Sequence, residues 1–288
     1  MSEVKRYQLK KILSNNALLA VDASQTEVIL LGKGIGFQRK KGDWIGLEQV
    51  EKLFLSPSDQ NRDAMLRLFA ETDEDVIRAT SDFIQYAENK LQLKFTQQFL
   101  ITLFDHIGFA IKRLQQGIQI RNPFLHEVRA LYPKEYSLAL EGIKMLANRL
   151  KIKIPEDEVG FIALHLHGAG THQTIEKINK YSTLIAKLIA IIESELLTEI
   201  DKTTADYSRL LTHLRFAVDR AEKDQPLGEN HPLSTLLQKE YPVCYNLSWK
   251  LIKILQKELQ KKIPEAEASY LTLHIQRLYD HTNIKNKS

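Results

Sequence analysis

A small antiparallel β-domain followed by two homologous all-α helical bundles is the multidomain architecture that this 288-residue sequence predicts. Three observations predict it. The later part of the chain carries one unit twice. The first 55 residues alternate short apolar runs with turn residues. From about Asp59 the apolar spacing changes from two to three or four. The repeat is taken first, because a missed repeat misassigns the whole fold.

Asp105-His106-Ile107-Gly108-Phe109-Ala110-Ile111-Lys112-Arg113 returns as Thr212-His213-Leu214-Arg215-Phe216-Ala217-Val218-Asp219-Arg220. A second match follows each copy. Ile154-Pro155-Glu156 leads to Phe161-Ile162-Ala163-Leu164-His165, and Ile263-Pro264-Glu265 leads to Tyr270-Leu271-Thr272-Leu273-His274. Between them Tyr132-Pro133 aligns with Tyr241-Pro242, and Tyr136 with Tyr245. Each unit therefore holds two histidines at matched places.

In the N-terminal part, Tyr7 to Leu13, Ala17 to Val21 and Glu27 to Leu31 read as strands. Asn15-Asn16 and the glycines of Gly32-Lys33-Gly34-Ile35-Gly36-Phe37 tolerate the positive φ of tight turns. About four strands are expected, ending near Lys52-Leu53-Phe54. A sheet of this size makes a poor core alone, so dimerisation is expected to cover its open face and edges.

Helical periodicity then takes over. Val76, Ile77, Thr80, Phe83, Ile84, Ala87 and Leu91 mark one apolar face, and Phe99 to Leu114 forms a second helix around the first motif. Asn122-Pro123 breaks it, Tyr136 to Leu150 follows, and Pro155-Glu156 opens a helix that Gly168 to Gly170 should end. The second copy repeats the order: Tyr181 to Ile200, Thr204 to Arg220, a break at Gly228 to Pro232, Tyr245 to Leu259, then Pro264 to Leu278. The polar tail from His281 is expected to fray. The resulting domains are 1–58, 59–172 and 173–288.

Composition bounds the class. Hydrophobic residues at 43% and charged residues at 26% are ordinary for a globular protein. With Cys244 the single cysteine, no intramolecular disulfide is possible, which suits a reducing compartment. The best apolar run, Leu184 to Leu197, is interrupted by Lys187, Glu193 and Glu195. No membrane insertion and a cytoplasmic location are expected. Residues 1–41 carry eight bases and three acids, a net +5 against +4 for the whole chain. The basic excess sits where a polyanion would be met.

Two readings are open for the matched histidines. One is a hydrogen-bonded histidine at the edge of a core. The other is a phosphate acceptor, favoured by Arg113 and Arg220 two helical turns after His106 and His213, where a guanidinium would hold an added phosphate. A metal pair at His165 and His167 is disfavoured, because residues two apart on a helix diverge and the second copy has Gln276 in place of His167. A phosphohydrolase dyad at Asp105-His106 lacks its counterpart, since Thr212 replaces the aspartate. No metal or cofactor is expected. His126, His172, His231 and His281 have no matched partner and read as surface or loop residues.

The Gly32-to-Phe37 stretch is not a dinucleotide fingerprint, which needs a helix directly behind it. It reads either as an ordinary glycine-rich hairpin or as a nucleic-acid surface. In the second reading glycines allow close approach, Phe37 stacks on an unpaired base, and Lys33, Arg39 and Lys40 meet phosphates. Asn15 and Asn16 add short amides able to read base edges.

Lys11-Ile12-Leu13-Ser14-Asn15-Asn16, the Gly32-to-Phe37 turn, the Asp105-to-Arg113 helix and the Phe161-to-His165 helix together resemble the BglG/LicT/SacY-type transcriptional antiterminators, in order and over essentially the whole chain. The resemblance implies a dimeric RNA-binding β-domain and two sugar phosphotransferase regulation domains. It places RNA contacts on Lys11, Asn16, Gly32, Lys33 and Phe37, with Asn15 beside them; Ser14 departs from the family's usual run of three asparagines. It places phosphoacceptors on His106 and His165, and on His213 and His274. It implies, as partners, a leader-mRNA hairpin, a sugar permease (enzyme II), the phosphocarrier protein HPr and a second copy of the chain. Asp105, Arg113 and Arg220 are the expected phosphate-supporting side chains. Such a protein receives phosphate but turns over no substrate. A DNA-binding regulator with the same regulation domains would need a helix-turn-helix where the first 55 residues read as strands. A metal-dependent phosphohydrolase is the alternative from another class.

Overall fold

The computed structural model describes residues 6–55, 66–171, 173–225 and 231–285. The domain boundary expected near residue 58 and most of the expected break at Gly228 to Pro232 lie outside them. By contacts the chain divides into two compact units. The first comprises residues 1–120 and 138–165, the second residues 121–137 and 166–288. The repeat and the compact unit are thus different divisions of this chain.

The first unit begins with an antiparallel sheet of five strands among the described residues: β1 (Arg6–Ser14), β2 (Ala17–Val21), β3 (Glu27–Leu31), β4 (Trp44–Gly46) and β5 (Lys52–Leu55), in the order β4-β1-β2-β3-β5. About four strands were expected; the additional one, β4, is three residues long and pairs Tyr7 with Ile45. Two register shifts in β1, between Leu9 and Lys11 and between Ile12 and Ser14, bend it. One core of this sheet gathers Tyr7, Leu9, Leu18, Ala20, Val28, Leu30, Ile35 and Ile45.

The alternate residues of β2 and β3 are also buried, so these two strands are covered on both faces within a single chain. At β2 and β3 the face expected to be covered by a second copy is covered by the chain itself. Aromatic packing of Phe54 on Phe69 and Phe104, with centroids 5.5 and 5.9 Å apart, joins the sheet to helices of the same unit. Among the described residues of this domain, the large apolar side chains that stay exposed are Phe37 in the glycine-rich turn and Ile12, Trp44 and Leu47 on and beside β1 and β4.

Residues 66–71 are helical, and α1 (Glu74–Leu91) and α2 (Gln97–Gln115) follow. Asp73 caps α1 by accepting from the Asp75 amide at 2.8 Å, and Glu74 and Asp75 complement the helix dipole in its first turn. Thr96 caps α2 through the Phe99 amide at 3.3 Å, and Lys112 and Arg113 close it. The remaining helices are α3 (Leu125–Leu131), α4 (Pro133–Leu150), α5 (Glu156–Thr171), α6 (Ile175–Glu195), α7 (Ala205–Glu222), α8 (His231–Glu240), α9 (Pro242–Leu259) and α10 (Ala266–Lys285). Gly168 and Gly170 do not end α5, and α10 continues to Lys285 through the tail expected to fray.

The second unit is built on Tyr181, Leu184, Leu188, Leu211, Leu214, Leu251, Leu255, Leu271 and Ile275, contributed by α6, α7, α9 and α10. Ala130 and Leu131 of α3 pack on this core. From the same short helix Glu127, 2% exposed, accepts a hydrogen bond from the Tyr207 hydroxyl at 2.7 Å. Tyr207 is itself fully buried. No helix among the described residues is long and apolar enough to cross a membrane.

Candidate functional site

The N-terminal site is two turns tied together. The Gly36 amide donates to the Asn15 carbonyl at 2.8 Å, and the Gly32 amide to the Asn16 carbonyl at 3.1 Å. The Gly34 amide donates to the Asn16 side-chain oxygen at 2.6 Å. Two glycines are demanded by space: a Cβ on Gly32 would lie 2.1 Å from the Gln49 carbonyl oxygen, and one on Gly36 would lie 2.5 Å from that of Ser14. Phe37 is 63% exposed, and Lys11, Asn15 and Lys33 are exposed too. Arg39 donates to the Gln49 side chain at 2.9 Å. Asn16 differs from its neighbours: it is only 5% exposed. Its side-chain NH2 donates to Glu74 at 3.2 Å, and Arg78 donates to its oxygen at 3.0 Å. The Asn15 amide donates to the other Glu74 oxygen at 3.0 Å.

The two histidine sites have a common plan. In the first unit α2 supplies His106 and Arg113, and α5 supplies Glu158, Phe161 and His165. The two imidazole rings lie 4.9 Å apart, centroid to centroid, and Phe161 flanks His106 at 5.8 Å. Arg113 donates to Glu158 at 2.8 Å, and the His106 Nε2 lies 3.3 Å from the other Glu158 oxygen. That last approach lacks hydrogen-bond alignment: His106 Nε2, Glu158 Oε2 and Arg113 Nε are buried atoms with no hydrogen-bond partner. Arg113 also lies 5.0 Å from the Phe109 ring centroid.

In the second unit α7 supplies His213 and Arg220, and α10 supplies Glu267, Tyr270 and His274. The rings lie 5.0 Å apart and Tyr270 flanks His213 at 5.7 Å. Here Glu267, 1% exposed at its side chain, is fully engaged. His213 Nε2 approaches it at 3.1 Å, and Arg220 binds both its oxygens from Nε and Nη2 at 2.7 and 2.8 Å. Burial alone would raise the Glu267 carboxyl, but His213 and Arg220 outweigh it and hold it below its ordinary value. Burial and the neighbouring His106 push His165 down to about 3. Burial, with His213, Arg277 and Arg209, pushes His274 down to about 4. Both are therefore neutral at pH 7, each with a ring lone pair, the form a phosphoryl acceptor needs.

The structure thus brings together all four matched histidines as two pairs and sets Arg113 and Arg220 beside them. Asp105 is exposed and lines a different groove, of about 530 Å³, with Arg67, Glu71 and Lys112. Glu158 and Glu267 are the site residues that the sequence reading passed over. Their signal was present, because each stands three residues after the proline that opens its helix. His167 belongs to a structural contact: its ring lies 4.0 Å from that of Tyr132, and its Nδ1 is 3.1 Å from Glu135. Among the described residues no group of His, Cys, Asp and Glu could hold a metal ion. His126 is exposed, while the side chains of His172, His231 and His281 lie outside the described residues.

An antiparallel sheet with a glycine-rich basic turn, followed by duplicated helical units that each hold a histidine pair, is the architecture of a nucleic-acid-binding regulator. Residues 7–63 match the family model of the CAT RNA binding domain, and residues 81–169 and 186–278 each match that of the PRD domain. The chain belongs to the antiterminator family that joins a CAT RNA-binding domain to two PRD domains, a family of regulators and not of enzymes. It is 42% identical over 272 residues to the PtsGHI operon antiterminator of Bacillus subtilis (strain 168), covering 94% of this chain and 97% of that one. It is 35% identical over 285 residues to the GlcA/glcB genes antiterminator of Staphylococcus carnosus (strain TM300), covering 97% and 98%. The crystal structure of GlcT CAT-PRDI is similar with a TM-score of 0.52 and 40% identity, over 57% of this chain and 98% of that one.

Proposed function

We propose that this chain, as a cytoplasmic homodimer, binds an RNA hairpin in a leader transcript and keeps an overlapping terminator from forming. Its activity is set by histidine phosphorylation from the sugar phosphotransferase system. Residues 1–58 bind RNA, and residues 59–172 and 173–288 sense phosphate. The genes served are of the kind its relatives' names carry, a ptsGHI operon or glcA and glcB. No cofactor enters this scheme.

The observation that carries the RNA half is the exposed Phe37 at the end of a turn that also presents Lys33. Lys11, Asn15, Asn16, Gly32 and Arg39 complete the RNA-contact set, with stacking by Phe37 and phosphate contacts by the bases. Ile12, Trp44 and Leu47 stay exposed on and beside β1 and β4, where a second copy would pack. Phe37→Ala in the full chain is expected to weaken binding to the leader hairpin about tenfold to a hundredfold, the effect of losing one stacked base. An electrophoretic mobility shift reads it. Equal binding by wild type and variant would remove Phe37 from the interface.

The observation that carries the phosphate half is the recurrence of the same pair, guanidinium and buried carboxylate in both units. His106 and His165 accept phosphate from a sugar permease (enzyme II), and His213 and His274 from the phosphocarrier protein HPr. Each phosphate adds roughly −1.5 to −2 charges. Two such groups ~8 Å apart across a two-fold axis repel by roughly 2 kcal/mol in water, enough to shift a balanced equilibrium about 30-fold. Alanine at all four histidines is expected to abolish acid-labile phosphate incorporation from phosphorylated donor proteins, read by mass spectrometry. Undiminished incorporation would move the acceptor elsewhere.

A further inference from the structure

We propose that the Glu74–Arg78 face of α1 is a docking surface for the RNA-contact turn, and that it competes with RNA for Asn15 and Asn16. The inference rests on the RNA-binding reading of these residues. It goes beyond that reading by assigning to the chain itself the ligand that RNA must displace.

The hydrogen-bond inventory of Asn16 carries the argument. A side-chain amide offers two acceptor positions and two donor positions. Gly34 and Arg78 occupy the oxygen, and Glu74 occupies one N–H. Only one N–H is left for the edge of a base. Glu74 meanwhile uses one oxygen for the Asn16 side chain and the other for the Asn15 amide. An anionic group accepting from two adjacent donors of the turn resembles the contact a nucleic-acid phosphate makes with backbone and amide N–H groups.

Helix formation does not require this arrangement. Asp73, not Glu74, caps α1, and the dipole of the first turn is already met by Asp75. Arg78, half-buried on the same helix, reaches the Asn16 oxygen. The same face continues toward Lys33, which borders a groove of about 550 Å³ lined by the acids Glu51, Asp82 and Glu88 and by the bases Lys52, Arg78, Lys94 and Arg149. Glu88 there is paired with Lys52 and Lys94, and Asp82 with Arg149, so Glu74 is the carboxylate that reaches the turn. Because the sheet is seated on this unit by Phe54, Phe69 and Phe104, the contact is local and its effective concentration is high.

Competition has a quantitative signature. If only a fraction of molecules has the turn free, the apparent dissociation constant exceeds the intrinsic one by the inverse of that fraction. Removing the Glu74 carboxylate removes the competitor while leaving Lys11, Lys33, Phe37 and Arg39 in place. Glu74→Gln keeps the shape and one acceptor, so it falls between wild type and Glu74→Ala.

The test is fluorescence anisotropy of a labelled RNA hairpin, with an internal loop on each side of its stem, titrated with the full chain. Wild type, Glu74→Gln, Glu74→Ala and Phe37→Ala are compared, with circular dichroism confirming equal helix content. Glu74→Ala is expected to bind about tenfold tighter than wild type or more, Glu74→Gln less so, and Phe37→Ala weakly. Equal or weaker binding by Glu74→Ala, with the Phe37 dependence intact, overturns the competition and leaves the RNA reading standing. Binding by none of the four proteins removes the RNA reading, and the inference with it.

Discussion

Replacing Glu267 by alanine is expected to destabilise the second unit by about 3–5 kcal/mol, the range for breaking a buried ion pair from one side. The carboxylate is buried, and it is the shared acceptor for both Arg220 nitrogens and for His213. Its removal leaves a guanidinium facing a cavity without a counter-charge. Glu267→Gln keeps an acceptor for Arg220 and should recover part of the loss. Glu158→Ala is expected to cost less, because Glu158 makes one aligned hydrogen bond, from Arg113 Nη2, where Glu267 makes three. Urea unfolding of the full chain followed by circular dichroism ranks the three variants. A loss below about 1 kcal/mol for Glu267→Ala, the level of an exposed pair, would show that the cluster is open to water.

The same geometry qualifies how phosphate would act. Arg113 and Arg220 are already committed to a buried carboxylate. A phosphoryl group on His106 or His213 brings a second anion within a few ångströms of the first. Unit charges ~4 Å apart at an effective dielectric near 20 repel by about 4 kcal/mol. Phosphorylation there would bear directly on the Glu–Arg pair that joins α7 to α10 in the second unit and α2 to α5 in the first.

The repeat made this site half legible from sequence. Histidine and arginine on one helix face are local facts, fixed by seven residues of spacing and readable without a fold. Glu158 and Glu267 were hidden because acidic residues behind a helix-opening proline already have a sufficient explanation in the helix dipole. Only the packing of α2 on α5 and α7 on α10 shows that they point inward. The burial of Asn16 is illegible for a similar reason, since its partners Glu74 and Arg78 lie 58 and 62 residues further along the chain.

Smaller misses have local causes. Strand β4 spans three residues, too few for a two-residue rhythm to be recognised. The apolar spacing carries α6 to Ile200, but the helix ends at Glu195, because Leu197 adopts a positive φ of 50° and turns out to solvent. Helices α3 and α8 are short and follow directly on the breaks at Asn122-Pro123 and Gly228 to Pro232, and the sequence reading assigns them no element.

Acid is expected to unfold this protein over a window that the two inner histidines set. Free histidine takes a proton near pH 6.5, whereas His274 does so at about 4 and His165 at about 3 in the fold. Between those values the unfolded chain binds more protons than the folded one. Stability therefore rises with pH across the window and falls as pH drops. The contribution is complete above about 6.5 and is lost progressively toward 4 for His274 and toward 3 for His165. Each histidine can add up to about 1.4 kcal/mol per pH unit; His274, the more solvated of the two, adds less. The depressed Glu267 carboxyl acts only lower: its stabilisation is present above about 4.3, the unfolded value, and is lost as pH falls through its folded one. Urea midpoints measured between pH 7.5 and 5 therefore isolate the histidines. Wild type should lose stability steadily below 6.5, and the His165→Gln/His274→Gln double variant should show a flatter profile. Equal slopes would mean that both rings take their protons in the fold over the same pH range as in the unfolded chain. The distinction reaches the phosphate chemistry, because a ring that resists protonation keeps its lone pair free at physiological pH, and an already protonated ring cannot accept a phosphoryl group.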